Sequence, residues 1–477
     1  MKIRIIIFLI FASLVIPLQG ATLNEAKKVY LSGDYQAALP LLEEQYRKNK
    51  RNASVNQWIG VCLYNLGRYE EARKYFDYAK SRRVVEAYRY LALLDFYAYD
   101  FEGGEEMFDQ YKAELKRLKK NISQEASEAE NKLGKAKIML DHVEKIAIID
   151  SIVVNKDMFF KYYRLSAGTG TLNDKTALPF SIADSAAVVF APESGSRMMW
   201  GMDYSMDDSI NISRKCLFET QKLYDGNWDK ATLLDKSVNT DGDSSYPFMM
   251  SDGTTLYYAN NGKESIGGYD IFISRKDSET GEYYAPQNIG MPYNSPFDDY
   301  MLVIDEFTGV GWWATDRNRI PGKVTIYVFI PNSVRVNYSP EEPSLISYAK
   351  IDDIKSTWNG IDYRDKLQDI KSLSQNKTEE RHDFLFHLKN GVLYTRFDQF
   401  KNSEARHRME ELIVTQQNYI SDKERLNRLR VQYSKVAGVQ RNSLKGEILR
   451  LEEKVDAYPD NIEKIENEIR RLELKQK

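Results

Sequence analysis

The sequence predicts a multidomain α + β chain. An N-terminal helical-repeat solenoid is followed by a central β-propeller of about five blades, closed or incomplete, and a C-terminal helical, coiled-coil-like tail. Three observations carry this reading. Gly33-Asp34-Tyr35-Gln36-Ala37-Ala38 is echoed by Gly67-Arg68-Tyr69-Glu70-Glu71-Ala72, an offset of 34 residues. Strand-like runs recur at 54–68 residues across roughly 178–332. From Leu444 to Leu472 the apolar residues step four and three in alternation. The length of 477 residues agrees with about three domains.

Composition narrows the function. Lys plus Arg is 67 against 70 for Asp plus Glu, a net charge of −3. Bulk attraction to nucleic acid needs a cationic excess, so that class is disfavoured. The four histidines (His142, His382, His387, His407) and two cysteines (Cys62, Cys216) are too few for a His-rich or Cys-based metal centre or a disulfide scaffold. Neither a metal nor a cofactor is expected. The cysteines read as buried free thiols. The 32 tyrosines point to strands, binding surfaces or both.

Lys2 and Arg4 precede an apolar run from Ile5 to Leu18, with small residues at Gly20 and Ala21. A basic start, a short apolar core and a small-residue end match a secretory signal peptide over 1–20. The expected mature protein is exported, without a transmembrane segment.

Residues 22–147 read as helical repeats with a capping helix. In the second unit Gly60, Gly67, Tyr69, Ala72, Phe76 and Ala79 each have a physical task. Gly60 and Ala72 let helices approach, and the aromatics fill the space between repeats. Phe101, Gly104 and Phe108 mark a degraded third unit. This pattern resembles the tetratricopeptide repeat (TPR). The first helix of each TPR pair lines the concave face, which places Tyr30, Gln57, Tyr64, Asn65, Arg89, Phe96 and Tyr97 there. Two readings stand: a groove for an extended peptide or partner helix, or a surface that packs on the chain's own next domain.

Residues 148–400 turn to β-structure. Pro179 to Ala191 aligns with Pro247 to Ala259, and Met301 to Ala314 forms a third copy. Each reads as strand, tight turn, strand, with Asp252-Gly253 a good hairpin turn. Ile271–Ser274 and Ile326–Phe329 supply a further strand. Several short strands per repeat are a propeller-blade pattern. Missing edges are sought in Ile148–Val154, Ser347–Ile354 and a hairpin of Asp383–Leu388 with Val392–Phe397. The stretch Ser251 to Ala259, followed by Gly267-Gly268-Tyr269-Asp270-Ile271-Phe272, resembles the TolB-like propeller repeat of Bacteroidota envelope proteins. Tyr269, Asp270, Asp298 and Asp299 form a candidate rim, with simple turn chemistry as the rival reading. The resemblance also implies O-glycosylation at Asp-Ser-aliphatic sequences, here Ser151, Ser185 and Ser209.

In residues 403–477, Ile448, Val455, Ile462 and Ile469 share one heptad position, and Leu444, Leu451, Tyr458, Ile465 and Leu472 the other. Pro459 is expected to kink or restart the helix. Self-packing and a homodimeric coiled coil both fit. No Gly-x-Ser-x-Gly elbow, phosphate-binding glycine loop or His-Glu-x-x-His sequence is present. The expectation is a non-enzymatic scaffold in the periplasm, at the periplasmic face of the outer membrane or at the cell surface. It would bind envelope or outer-membrane proteins, in an assembly of the secretion or gliding kind. The alternative is a soluble propeller that binds or senses a glycan or peptide.

Overall fold

A computed structural model describes residues 22–182, 187–205, 213–223, 226–277, 279–375, 386–389, 392–394, 396–435 and 439–474. The signal-peptide segment, Ser185 and Ser209 lie outside the described residues. The chain divides into two compact units, Met1–Leu373 and Ser374–Lys477.

The first unit begins with seven helices: α1 (Leu23–Leu31), α2 (Tyr35–Lys48), α3 (Ala53–Asn65), α4 (Tyr69–Ser81), α5 (Val85–Ala98), α6 (Phe101–Arg117) and α7 (Gln124–Leu140). Side chains cap most of their starts. Thr22 and Glu25 form a capping box on α1, and Asp34, Asn52, Asp100 and Ser123 accept from backbone N–H groups in the first turns of α2, α3, α6 and α7. The Gly-x-Tyr repeat is punctuation. Gly33 and Gly67 take φ of +80° and +72° to end the first helix of each pair, and the tyrosine opens the second. In the third copy Tyr99 takes the left-handed position at φ 64°. Gly60 lies against the Phe76 ring, which stacks on Tyr90 at 4.9 Å.

The sheets follow. β1 (Ala147–Asn155) leads into a 3-10 segment over Lys156–Tyr162. The next strands are β2 (Thr171–Asp174), β3 (Val188–Ala191), β4 (Arg197–Ser205), β5 (Ser213–Gln221) and β6 (Thr232–Leu233), paired in that order. β7 (Ser244–Met249), β8 (Thr255–Asn260), β9 (Asp270–Arg275) and β10 (Gln287–Asn288) make a second sheet. β11 (Asp299–Asp305), β12 (Val310–Thr315) and β13 (Lys323–Ile330) make a third, whose outer edge is β1. All three are antiparallel, and a single core runs through them from Val154 through Phe190, Phe248, Tyr258 and Trp312.

Ile148–Val154 thus supplies a missing edge, closing the last sheet from the N-terminal side. Two other expectations are corrected. Ser347–Ile354 is no strand: it overlaps α8 (Leu345–Lys350), which packs Leu345 and Ala349 into the core of α5–α7. The helical pair begun by α7 therefore receives its second member from beyond the sheets. The first β repeat is displaced by one strand. Phe218 pairs with Trp200 as Phe272 pairs with Tyr258 and Tyr327 with Trp313. Trp200-Gly201 therefore corresponds to Tyr258-Ala259, and Pro179–Ile182 is not a strand. Gly201 hides the match. A Cβ there would meet Ser245 Oγ at 2.6 Å, so close packing removed the alanine seen in the other copies. Among the described residues there are three large sheets in place of about five.

After α9 (Arg364–Gln375), the second unit pairs β14 (Phe386–Lys389) with β15 (Val392–Tyr394) and continues in α10 (Ser403–Lys435) and α11 (Val439–Leu474). Pro459 does not divide α11. Its neighbourhood is held by α10, where Tyr419 meets Tyr458 at 5.6 Å and Tyr458 donates to Asp422. The heptad seam is filled within the chain: Ile448, Leu451 and Val455 pack on Leu426 and Leu429, and Ile465 and Ile469 on Met409 and Leu412. An antiparallel hairpin has used the surface that a homodimer would need. Glu473 closes its base, accepting from the backbone N–H groups of Lys401 (2.7 Å) and Asn402 (3.0 Å) and from the Tyr394 hydroxyl (3.2 Å). Glu473→Ala is expected to cost about 1–3 kcal/mol, as for lost bonds to a buried charged acceptor. Faster amide exchange at 400–410, with none at the far end of the hairpin, is the signature to measure.

Candidate functional site

The concave residues fall into two groups. Tyr30 stacks on Trp58 at 5.7 Å, with Lys27 over the indole. Gln57 is buried, and its Oε1 has no hydrogen-bond partner. Leu31, at the end of α1, is 68% exposed. Arg89 is held by Glu86 (2.8 Å) and Glu125 (3.1 Å) and lies over the Tyr90 ring. Asn65 donates to the Val61 carbonyl. The second group is an aromatic stack. Tyr64 meets Tyr69 at 5.3 Å and Tyr90 at 5.1 Å, and Tyr69 meets Tyr97 at 4.6 Å. Phe96 is buried beside Phe101. Burial pushes the Tyr30, Tyr64 and Tyr69 hydroxyls well above their usual range, so all three stay protonated.

The chain itself covers the second group. Tyr97 meets Phe297 of the loop before β11 at 5.3 Å, and the Arg319 guanidinium lies 3.8 Å over the Tyr69 ring. Further along, Lys132 and Lys135 of α7 each donate at 2.7 Å to the carbonyls of Gly267 and Lys263. Ile266 and Met291 join the α5–α7 core. Packing on the next domain therefore takes the C-terminal half of the concave face, from Tyr69 to α7. Tyr30 of α1 instead packs on Trp58 of α3 and on Tyr35 of α2.

The rim residues separate in the same way. Asp270 and Asp299 are fully buried, so neither presents a carboxylate at a rim. Asp270 accepts from Ile266 N–H, Gly267 N–H and Asn288 Nδ2, and burial pushes its carboxyl up to about 7. Asp299 accepts from Ser295 and pairs with Arg317 at 2.7 Å, and its burial likewise raises it. Asp298 receives the Tyr269 N–H at 2.9 Å. It shares Lys156 with Asp316, at 3.8 and 3.9 Å, and burial next to Asp298 pushes Asp316 up to about 6. This is turn chemistry. Among the described residues, no group of three or more His, Cys, Asp or Glu is placed to hold a metal. Cys62 and Cys216 are buried free thiols. Ser151 is exposed on β1 opposite Tyr327, its N–H bonded to Asp150.

Some structural residues had a legible signal that goes unused in the sequence reading. Asn239 bonds both the N–H and the carbonyl of Leu217, and Asn294 does the same to Ile271. Asp243 takes the Lys215 N–H as Asp298 takes that of Tyr269. The shared spacing, Asn then Asp four residues on, ties each sheet to its predecessor. Phe159 packs on Tyr300 of β11 at 5.2 Å and on Tyr246 of β7 at 6.0 Å. A ligand bound at that point would have to displace this ring.

A tetratricopeptide repeat family model matches residues 30–93. The matched stretch runs from the end of α1 into α5 and carries most of the concave residues. Helical repeats of this kind are suited to protein–protein interaction, and that is the class of function the match supports. No curated protein and no solved structure matches the chain. No helix among the described residues is long and apolar enough to cross a membrane.

Proposed function

We propose that the protein is a non-enzymatic scaffold of a bacterial envelope assembly. It is exported to the periplasm or the periplasmic face of the outer membrane and holds envelope or outer-membrane protein partners. The basic and apolar leader pattern over 2–18 supports export. The resemblance of the β repeats to TolB-like propellers of Bacteroidota supports the envelope setting. The pairing of β1 with β13, at the edge of the third sheet, is compatible with this reading.

The observation that carries the interaction reading is the uncovered half of the repeat array. There Leu31 stands exposed beside the Tyr30–Trp58 stack, and Gln57 keeps a buried carbonyl oxygen without a donor. An extended or helical partner segment can cover the exposed Leu31 with an apolar side chain. A glycan-binding propeller is less favoured, because Phe159 fills the space between Tyr246 of β7 and Tyr300 of β11.

Capture from envelope fractions with tagged wild type and Leu31→Asp tests this. The side chain is exposed, so the fold is expected to be unchanged by circular dichroism. A stoichiometric membrane-protein partner is expected with wild type and at least tenfold less with the variant. Equal capture by both proteins removes the exposed end of α1 from the interaction.

A further inference from the structure

The helical hairpin of the second unit is electrically polarised along its length. Between Arg425 and Arg450 the sequence carries seven Arg and Lys and one acid, Glu447. Six of the cations, Arg425, Arg428, Arg430, Arg441, Lys445 and Arg450, are exposed on the described helices. Glu447 is engaged by Arg425 at 2.7 Å, and Arg430 reaches down to Glu452 at 2.8 Å. From Leu451 to Leu474 the balance reverses, to eight acids and four bases. A chain with a net charge of −3 has concentrated positive charge at one end of one element.

Geometry places that end far from its base. α10 has 33 residues, so it runs about 50 Å from the Glu473 cap. The cations do not form a stripe. At about 100° per residue, Arg425 and Arg430 stand about 140° apart on α10, and Arg441 and Arg450 about 180° apart on α11. They form a collar around the end of a two-helix rod. A collar meets a flat anionic layer end-on, whereas a nucleic-acid groove is read from one face of a helix. Arg441 lies over the Tyr433 ring at 4.7 Å, and Leu449 is 53% exposed beside Arg450. Tyr, Leu and Arg together are the side chains that settle at a lipid headgroup boundary.

We infer that the distal end of the α10–α11 hairpin is a docking surface for an anionic phospholipid layer, with its Arg and Lys collar on the headgroup phosphates. Guanidinium groups bind phosphate oxygens in pairs, and each cation near an anionic surface adds to the attraction. The inference is independent of the partner groove on the helical array.

Co-sedimentation of the full chain with vesicles of phosphatidylglycerol and phosphatidylcholine, against phosphatidylcholine alone, tests it. Binding is expected only to the anionic vesicles and is expected to weaken steeply as salt is raised. The variant R441Q/K445Q/R450Q leaves the Arg425–Glu447 and Arg430–Glu452 ion pairs intact and is expected to bind at least tenfold more weakly, with an unchanged circular dichroism spectrum. The variant K464Q/R471Q, at the acidic base, is expected to bind as wild type does. Absence of anionic-vesicle binding at low salt overturns the inference, as does undiminished binding by the triple variant. Tighter binding of a duplex oligonucleotide, with the same sensitivity to the triple variant, assigns the collar to nucleic acid instead and overturns it too.

Discussion

Arg317→Ala is expected to destabilise the first unit by about 3–5 kcal/mol, the cost of leaving one member of a buried ion pair alone. Arg317 is 8% exposed and Asp299 fully buried. The guanidinium also donates to the Tyr293 carbonyl at 2.7 Å and to the Thr315 hydroxyl at 3.1 Å. Its removal strands a carboxylate that already titrates high. The sign of the pH dependence follows. Asp299 binds its proton more tightly folded than unfolded, and without Arg317 it does so more strongly still. Between the unfolded and folded pKa values the native state holds the extra proton, so stability falls as pH rises through that window. The deficit of the variant should therefore shrink as pH is lowered. Arg317→Ala with Asp299→Asn removes the stranded charge and should recover a large part of the loss. All six tryptophans, Trp58 to Trp358, lie in the first unit, so a urea titration followed by tryptophan fluorescence reads that unit alone. A midpoint within about 1 kcal/mol of wild type at neutral pH would show that Asp299 needs no partner.

The same residues explain what was legible in the sequence. Local rules reach the helical repeats because each signal is confined to one turn or one helix pair: a glycine at positive φ, a capping Asp or Asn, a Gly60 facing a Phe76. They reach β7, β8, β11 and β12 because both hairpin turns are of the Asx kind, with Asp252 and Asp305 each bonding two N–H groups further on. They fail where the determinant is distant. Tyr99 at a left-handed position is held by burial, in the core that α5–α7 share with Ile266 and Met291. The Arg317–Asp299 pair joins residues 18 apart whose charges read as surface in sequence. The dual fate of the concave face is of this kind. Tyr30 and Tyr97 occupy corresponding faces of repeat helices, and only the three-dimensional position of Phe297 and Arg319 separates the open half from the covered one. In the second unit the heptads gave the seam but not its owner, because intramolecular and intermolecular pairing present the same pattern.

The repeat array offers the second large effect, and with it a reversal of sign. Phe76 is fully buried between α3 and α5, stacked on Tyr90. Phe76→Ala should cost about 3–5 kcal/mol, through lost burial and the cavity left behind. Gly60→Ala alone should also destabilise, by up to about 2 kcal/mol. Its methyl would stand 2.6 Å from Phe76 Cε1, an overpacking cost of about 1–3 kcal/mol, against a gain of about 1 kcal/mol in helix propensity. In the Phe76→Ala background the clash is gone. There Gly60→Ala should stabilise, by about 1 kcal/mol from propensity and more as the methyl fills the cavity. The double mutant is then more stable than Phe76→Ala, although each single change harms the wild type. Contacting residues can couple by this amount, whereas independent sites cannot change each other's sign. Tryptophan fluorescence in urea on the four proteins measures the coupling. If Gly60→Ala is destabilising in both backgrounds, Gly60 is required for something other than the approach of Phe76, and the packing account of the Gly60-to-Phe76 repeat spacing fails with it.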